Sequence, residues 1–186
     1  MLEIRWHSRA GQGAVTGAKG LADVMSGIKK QVQAFAFYGS AKRGAAMTAY
    51  NRIDDETIIN HEKFMNPDYV LVIDPGLTFI TDICEFEKQD TKYIITTHLS
   101  KEELIAKKPE LKGKQVFIVD CIKISQEEIG KPIPNTPMLG AFIKISGLLE
   151  LDYFLESFKK VLGKKLPKAI IDKNMVAITR AYNEVK

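Results

Sequence analysis

Arg9, Gly11, Gln12, Gly13 and Thr16 stand together in the stretch Arg5-Trp6-His7-Ser8-Arg9-Ala10-Gly11-Gln12-Gly13-Ala14-Val15-Thr16-Gly17. A glycine-rich turn that opens a helix gathers free backbone N–H groups at the positive end of the helix dipole. Such a turn can cradle an anion. Gly11 and Gly13 let the backbone approach a ligand or a neighbouring subunit with no Cβ in the way. Ser40-Ala41-Lys42-Arg43-Gly44 is a second candidate. Its cationic pair can meet a phosphate or a carboxylate, or stand as solvated charges on an exposed turn. Arg9 joins the same positive cluster if the two loops share an edge.

The spacing rejects two common nucleotide signatures. A P-loop needs Gly-Lys-Ser/Thr after four spacers, and here Lys19 is followed by Gly20. Gly11, Gly13 and Gly17 lie one residue too far apart for the dinucleotide fingerprint. Phe35-Ala36-Phe37-Tyr38-Gly39 also lacks the acidic residue that would hold a ribose. A bound phosphate and a plain packing turn both stay open for Gly11-Gln12-Gly13. His7, His61 and His98 form no catalytic set and read as structural or solvent-facing. Asp74 and Asp120 end strands and read as helix caps. No motif for a catalytic constellation or a metal is found, so the chain carries no catalytic residue and no metal ligand of its own.

The elements that position these loops follow from periodicity. Strands are predicted at Leu2–His7, Gln31–Phe37, Ala45–Ile53, Tyr69–Ile73, Tyr93–Thr97 and Gln115–Val119. Asp54-Asp55 reads as a hairpin turn with Thr57–Asn60 as its return strand. Helices are predicted over Thr16–Ser26, capped by Gly27, after the capping box at Ser100, from Thr136-Pro137 onward, over Asp152–Leu162 and over Pro167–Glu184. The result is one α/β domain over residues 1–186. It is a three-layer α/β/α Rossmann-like sheet, mostly parallel, with an antiparallel hairpin. Ligands meet such sheets at the carboxyl ends of the strands. The Gly11 turn, the Tyr38 to Gly44 loop and Asp74-Pro75-Gly76 should all lie there.

Composition excludes several classes. With 45% hydrophobic residues and 27% charged ones, the chain can fold around a core. The net charge of +4 comes partly from Lys159, Lys160, Lys164, Lys165 and Lys168, which read as a solvated helix face. No basic stripe interleaves with aromatics, so nucleic acid is not an expected partner. No apolar run is long enough for a bilayer, so no membrane is expected either. Cys84 and Cys121 are far apart and build neither a metal site nor a disulfide framework. A strand at the very start leaves no room for a leader peptide, and the expected location is the cytoplasm.

Four stretches in register are more specific than any one of them. Glu3-Ile4-Arg5-Trp6-His7 with Arg9 to Thr16, Tyr38-Gly39-Ser40-Ala41-Lys42-Arg43-Gly44-Ala45, Val72-Ile73-Asp74-Pro75 and Pro134-Asn135-Thr136-Pro137-Met138-Leu139-Gly140-Ala141 run the length of the chain. Together they resemble the gamma subunit of pyruvate:ferredoxin (or flavodoxin) oxidoreductase. Ser8, Ala10 and Ala45 stand where that family commonly has glycine. The resemblance implies a multi-subunit enzyme that oxidises a 2-oxoacid, normally pyruvate, with coenzyme A. The products are acetyl-CoA, carbon dioxide and reduced ferredoxin or flavodoxin, and the reaction also runs backward as pyruvate synthesis. It implies alpha, beta and delta-type partners that hold thiamine diphosphate, magnesium and iron–sulfur clusters, with no cofactor tightly bound by this chain. It also implies a cleft for coenzyme A as substrate, edged by Arg9, Gly11, Gln12, Gly13, Thr16, Lys42 and Arg43. Competing readings are a stand-alone NAD(P)- or nucleotide-binding oxidoreductase, a gamma subunit acting on another 2-oxoacid, and a scaffold without a ligand.

Overall fold

The computed structural model describes residues 1–38, 44–60, 62–164 and 166–186. Among them are six strands, β1 (Leu2–Arg9), β2 (Gln31–Tyr38), β3 (Ala46–Asp54), β4 (Tyr69–Val72), β5 (Lys92–Thr96) and β6 (Gln115–Val119). They form one sheet in the order β2-β3-β1-β4-β5-β6. The pairs β1·β4, β4·β5 and β5·β6 are parallel, and β3 is antiparallel to both β1 and β2. Only β3 therefore runs against its companions among the described strands, and the expected mostly parallel sheet with one antiparallel hairpin is what forms.

Among the described residues seven α-helices form: α1 (Ala14–Gly27), α2 (Leu77–Ile80), α3 (Lys101–Lys107), α4 (Cys121–Glu128), α5 (Asn135–Ser146), α6 (Leu151–Gly163) and α7 (Lys168–Glu184). Alternation along the strands divides the core into two layers. Ile4, Trp6, Leu71 and Ile94 face α1, α5, α6 and α7, whereas Val70, Val72, Tyr93 and Ile95 face α2 and α3. One polar residue on the first face, Asn51, is fully used. Its Oδ1 accepts from the Trp6 indole at 2.9 Å and its Nδ2 donates to the Ala18 carbonyl at 2.8 Å.

The structure corrects the hairpin. Thr57–Asn60 is not a strand; the antiparallel partner of β3 on its outer side is β2. The backbone of this segment finds side chains instead of a ladder. Arg52 Nη1 donates to the Asn60 carbonyl at 2.9 Å and Gln33 Nε2 to the Ile58 carbonyl at 3.4 Å. Arg52 itself is 1% exposed. It also donates to Glu3 Oε1, Gln33 Oε1 and the Glu62 carbonyl, with its guanidinium over the Phe64 and Phe35 rings.

Two helix starts come earlier than sequence periodicity suggests. α1 begins at Ala14, with Gly13 as its cap, and α5 begins at Asn135, so Thr136 is already helical. The α3 capping box forms as expected: Ser100 Oγ accepts from Glu103 N–H, and Glu103 accepts from Ser100 N–H. At the far edge, Lys186 exchanges two backbone hydrogen bonds with Ile118 of β6, at 2.8 and 3.2 Å.

Candidate functional site

Three loops meet at the carboxyl edge of β1, and side chains tie them together. Gln12 Nε2 donates to Asp74 Oδ2 at 2.6 Å, while Gln12 Oε1 accepts from Arg9 N–H at 2.8 Å and from Ser8 Oγ at 3.3 Å. Arg9 Nε pairs with the same Asp74 oxygen at 3.3 Å, and its Nη1 donates to the Gly44 carbonyl at 3.1 Å. Ala10 N–H adds a backbone bond to Ala45 at 3.0 Å. Asp74 caps the start of α2 through Leu77 N–H at 3.2 Å, as its strand-end position predicts. It is also the junction of the whole network, which the capping argument does not foresee.

Behind this network two helix N-termini converge. Gly11 and Gly13 hold φ values of +101° and +88°, which L side chains rarely adopt, so the turn into α1 depends on glycine at both positions. No side chain caps α1 or α5. Asn135 and Thr136, at the first turn of α5, are 8% and 7% exposed. Neither side chain has a hydrogen-bond partner among the described residues. The Asn135 amide lies so close to the turn that a Cβ on Gly13 would stand 2.8 Å from its Nδ2. Unspent N–H groups at two helix starts and two unpartnered polar side chains make a neutral anion receptor, with the helix dipoles adding to it.

Of the sequence-predicted residues, Arg9, Gly11, Gln12 and Gly13 are brought together here, and Thr16 is exposed in the first turn of α1 that follows. Lys42 and Arg43 lie outside the described residues, although Gly44, which follows them, touches Arg9. His61 and Lys165 lie outside them as well. Asn135 and Thr136 were visible in sequence only as helix-start residues. Their place against Gly13 depends on how α5 packs on α1, which local patterns do not encode. A separate cleft of about 620 Å³ sits at the carboxyl ends of β5 and β6, lined by Thr97, His98, Asp120 and Lys123 among others rather than by the glycine turn.

His7 is buried on the α2 side of β1, and burial with the nearby Arg5 and Lys63 charges lowers its pKa to about 3. The folded state thus keeps the imidazole neutral, whereas the unfolded chain protonates it below about pH 6.5. A base held below its unfolded pKa contributes stability above that pKa and loses it as pH falls toward 3. Thermal unfolding of the wild type should lose stability between pH 6.5 and 4 faster than that of His7→Gln. Parallel midpoints for the two proteins would refute this.

Among the described residues no group of three or more His, Cys, Asp and Glu could hold a metal ion. The thiol of Cys121 is wholly buried, which pushes its pKa up to about 12, and Cys84 is half-buried. An iron–sulfur cluster needs about four thiolates, and the chain has two cysteines, so its residues do not fit one. Among the described residues no helix is long and apolar enough to cross a membrane.

Residues 3–184 match the family model described as pyruvate ferredoxin/flavodoxin oxidoreductase. The chain is 42% identical over 184 residues to the pyruvate synthase subunit PorC of Thermotoga maritima, covering 99% of this chain and 94% of that one. It is 40% identical to the common subunit gamma of the pyruvate/ketoisovalerate oxidoreductases of Thermococcus kodakarensis, covering 99% and 97%. The crystal structure of pyruvate oxidoreductase subunit PORC from Thermotoga maritima superposes with a TM-score of 0.84 at 39% identity, covering 100% of this chain and 97% of that one.

Proposed function

Because this chain belongs to the pyruvate ferredoxin/flavodoxin oxidoreductase family and is a subunit of a 2-oxoacid oxidoreductase complex, we propose that it forms the coenzyme A side of the active-site cleft in a cytoplasmic pyruvate synthase. The complex converts pyruvate and coenzyme A to acetyl-CoA, carbon dioxide and reduced ferredoxin or flavodoxin. Thiamine diphosphate, magnesium and iron–sulfur clusters on alpha, beta and delta-type subunits supply the chemistry at the keto carbon and the path for electrons. This chain supplies none of those groups; its residues act on access and orientation.

The observation that carries this reading is the pair of helix N-termini with Asn135 and Thr136 unpartnered beside Gly13. A coenzyme phosphate there accepts from the free N–H groups of α1, from the Asn135 amide and from the Thr136 hydroxyl. Helix N-termini favour such anions without adding a mobile charge. Arg9 has its own counterion in Asp74 and serves mainly to hold the edge in shape. Lys42 and Arg43 follow β2 and lead into Gly44, so they supply the net positive charge that draws the coenzyme in. Gln12 keeps the glycine turn open by bridging Arg9 and Asp74.

Kinetics of the assembled complex test this. A hydrogen bond to a charged group contributes about 1.5–3 kcal/mol. Asn135→Ala, and separately Lys42→Ala with Arg43→Ala, should therefore raise the coenzyme A KM on the order of tenfold or more. The pyruvate KM should stay within about twofold, since the 2-oxoacid meets other chains. An unchanged coenzyme A KM would mean that these loops serve only as a subunit interface. The same assay run on branched-chain and aromatic 2-oxoacids tests the choice of pyruvate.

A further inference from the structure

Asp74 has both of its carboxylate oxygens engaged, each on a different element. It follows β4, whose pairing with β1 continues one residue further through the bond from Ile73 N–H to the His7 carbonyl at 2.9 Å. It is 8% exposed. Oδ1 accepts from Leu77 N–H at 3.2 Å, while Oδ2 accepts from Gln12 Nε2 at 2.6 Å with Arg9 Nε 3.3 Å away. A Cβ on Gly76 would stand 3.0 Å from Oδ1, so the carboxylate is packed tightly against its own loop.

A carboxylate only accepts, so it fixes the sense of the Gln12 amide. The NH2 end faces Asp74, and Oε1 is left to accept from Arg9 N–H at 2.8 Å and from Ser8 Oγ at 3.3 Å. Gln12 lies between Gly11 and Gly13, whose φ values are both positive. Glycine backbone has little stiffness of its own. The turn therefore takes the shape that the one side chain between them gives it. We propose that Asp74 is a positioning residue: through Gln12 it holds the glycine turn so that the first N–H groups of α1 stay beside Asn135, and it does so without touching the coenzyme. The inference rests on the reading of this edge as the coenzyme A side of the cleft.

The arrangement is a donor–acceptor match that an isosteric change breaks. In Asp74→Asn the new amide has one donor end. Turned toward Gln12, that end opposes the Gln12 NH2 group; turned toward α2, it opposes Leu77 N–H. Flipping the Gln12 amide only moves the conflict to Arg9 N–H. Every arrangement leaves donors face to face and unpaired. Adding Gln12→Glu to Asp74→Asn removes the conflict. The new glutamate accepts from the asparagine amide with one oxygen and from Arg9 N–H with the other, and the net charge of the chain is unchanged.

Kinetics of the assembled complex test this. Asp74→Asn should raise the coenzyme A KM on the order of tenfold. The kcat at saturating coenzyme and the pyruvate KM should stay within about twofold. Gln12→Glu alone sets two carboxylates against each other and should raise the same KM. The double variant should return it to within about threefold of wild type. A general structural defect would lower kcat and would not be relieved by the second substitution. An unchanged coenzyme A KM in Asp74→Asn, or a double variant no better than the single ones, overturns the role of Asp74. The coenzyme reading survives that result if Asn135→Ala still raises the KM, and falls with it if Asn135→Ala does not. Gln12→Ala removes the tie without creating a conflict and decides the case in which Asp74→Asn fails to assemble. It should raise the coenzyme A KM by a similar factor, and a wild-type value overturns the route through Gln12.

Discussion

Arg52→Met should lower the stability of the chain by about 3–5 kcal/mol, as seen when one partner of a buried charge network is removed. For a domain of this size that is a fall of roughly 10 °C in the thermal midpoint. Arg52 is 1% exposed and sits in β3 on the face that α1 does not cover. It donates to Glu3 Oε1 at 3.0 Å, to Gln33 Oε1 at 3.2 Å, and to the Asn60 and Glu62 carbonyls at 2.9 and 2.7 Å. Methionine fills most of the volume but leaves a carboxylate that is 13% exposed without its cation, and two carbonyls without donors. Arg52→Lys should recover only a small part of the loss. A single ammonium cannot span four acceptors or stack between the Phe35 and Phe64 rings. A midpoint within 2–3 °C of wild type would show that the 55–67 segment is held by something else.

Gly140→Ala should cost about 2–3 kcal/mol, near the upper end for overpacking, because the clash is with backbone. A Cβ on Gly140 would stand 2.1 Å from the Ile178 carbonyl oxygen and 2.9 Å from its carbon. No rotamer change relieves that contact, so α5 and α7 must separate along their length. Gly163→Ala is the control. It lies at the end of α6 with nothing within 4 Å of the added methyl, so it should be neutral or mildly stabilising. Urea unfolding of both variants decides the matter, and equal midpoints would refute the close approach. The displaced α5 also carries Asn135, so on the proposed function Gly140→Ala should raise the coenzyme A KM as well.

The fold was largely legible because its cues are local. The apolar run Tyr69–Ile73 ending in Asp74-Pro75-Gly76 reads as a buried parallel strand, and β4 is flanked by β1 and β5 as that requires. The Ser100 to Glu103 capping box marks α3 from sequence alone. The error at Thr57–Asn60 arose because Asp54-Asp55 is a good turn and the next residues, Thr57, Ile58 and Ile59, are β-branched. What decides against a strand there is a long side chain, Arg52, satisfying backbone groups that a ladder would otherwise take. α2 and α4 were marked only by their caps, Asp74 and Asp120, because the helices themselves are short.

The candidate site was legible in outline and opaque in detail. The rule that loops gather at the carboxyl ends of parallel strands placed the Gly11 turn, the loop after β2 and Asp74 at one edge. The identity of the contacts was not available, since Gln12 and Asp74 are 62 positions apart in the chain. The same holds for Asn135 against Gly13, where two helix starts meet through packing alone.

Because β3 runs against the other strands, the sheet has a built-in sequence of assembly. β2 and β3 are joined by a short connection and can pair as an independent hairpin on a fast timescale. β1 comes first in the chain but pairs with β3 and β4, whose first residues are Ala46 and Tyr69. Its pairings therefore close larger loops, at a higher entropy cost, than the hairpin does. The Arg9 bond to Gly44 and the Gln12 bond to Asp74 span those same loops. The edge that carries the glycine turn is thus tied to the longer-range pairings of the sheet, and the β2–β3 hairpin alone does not build it.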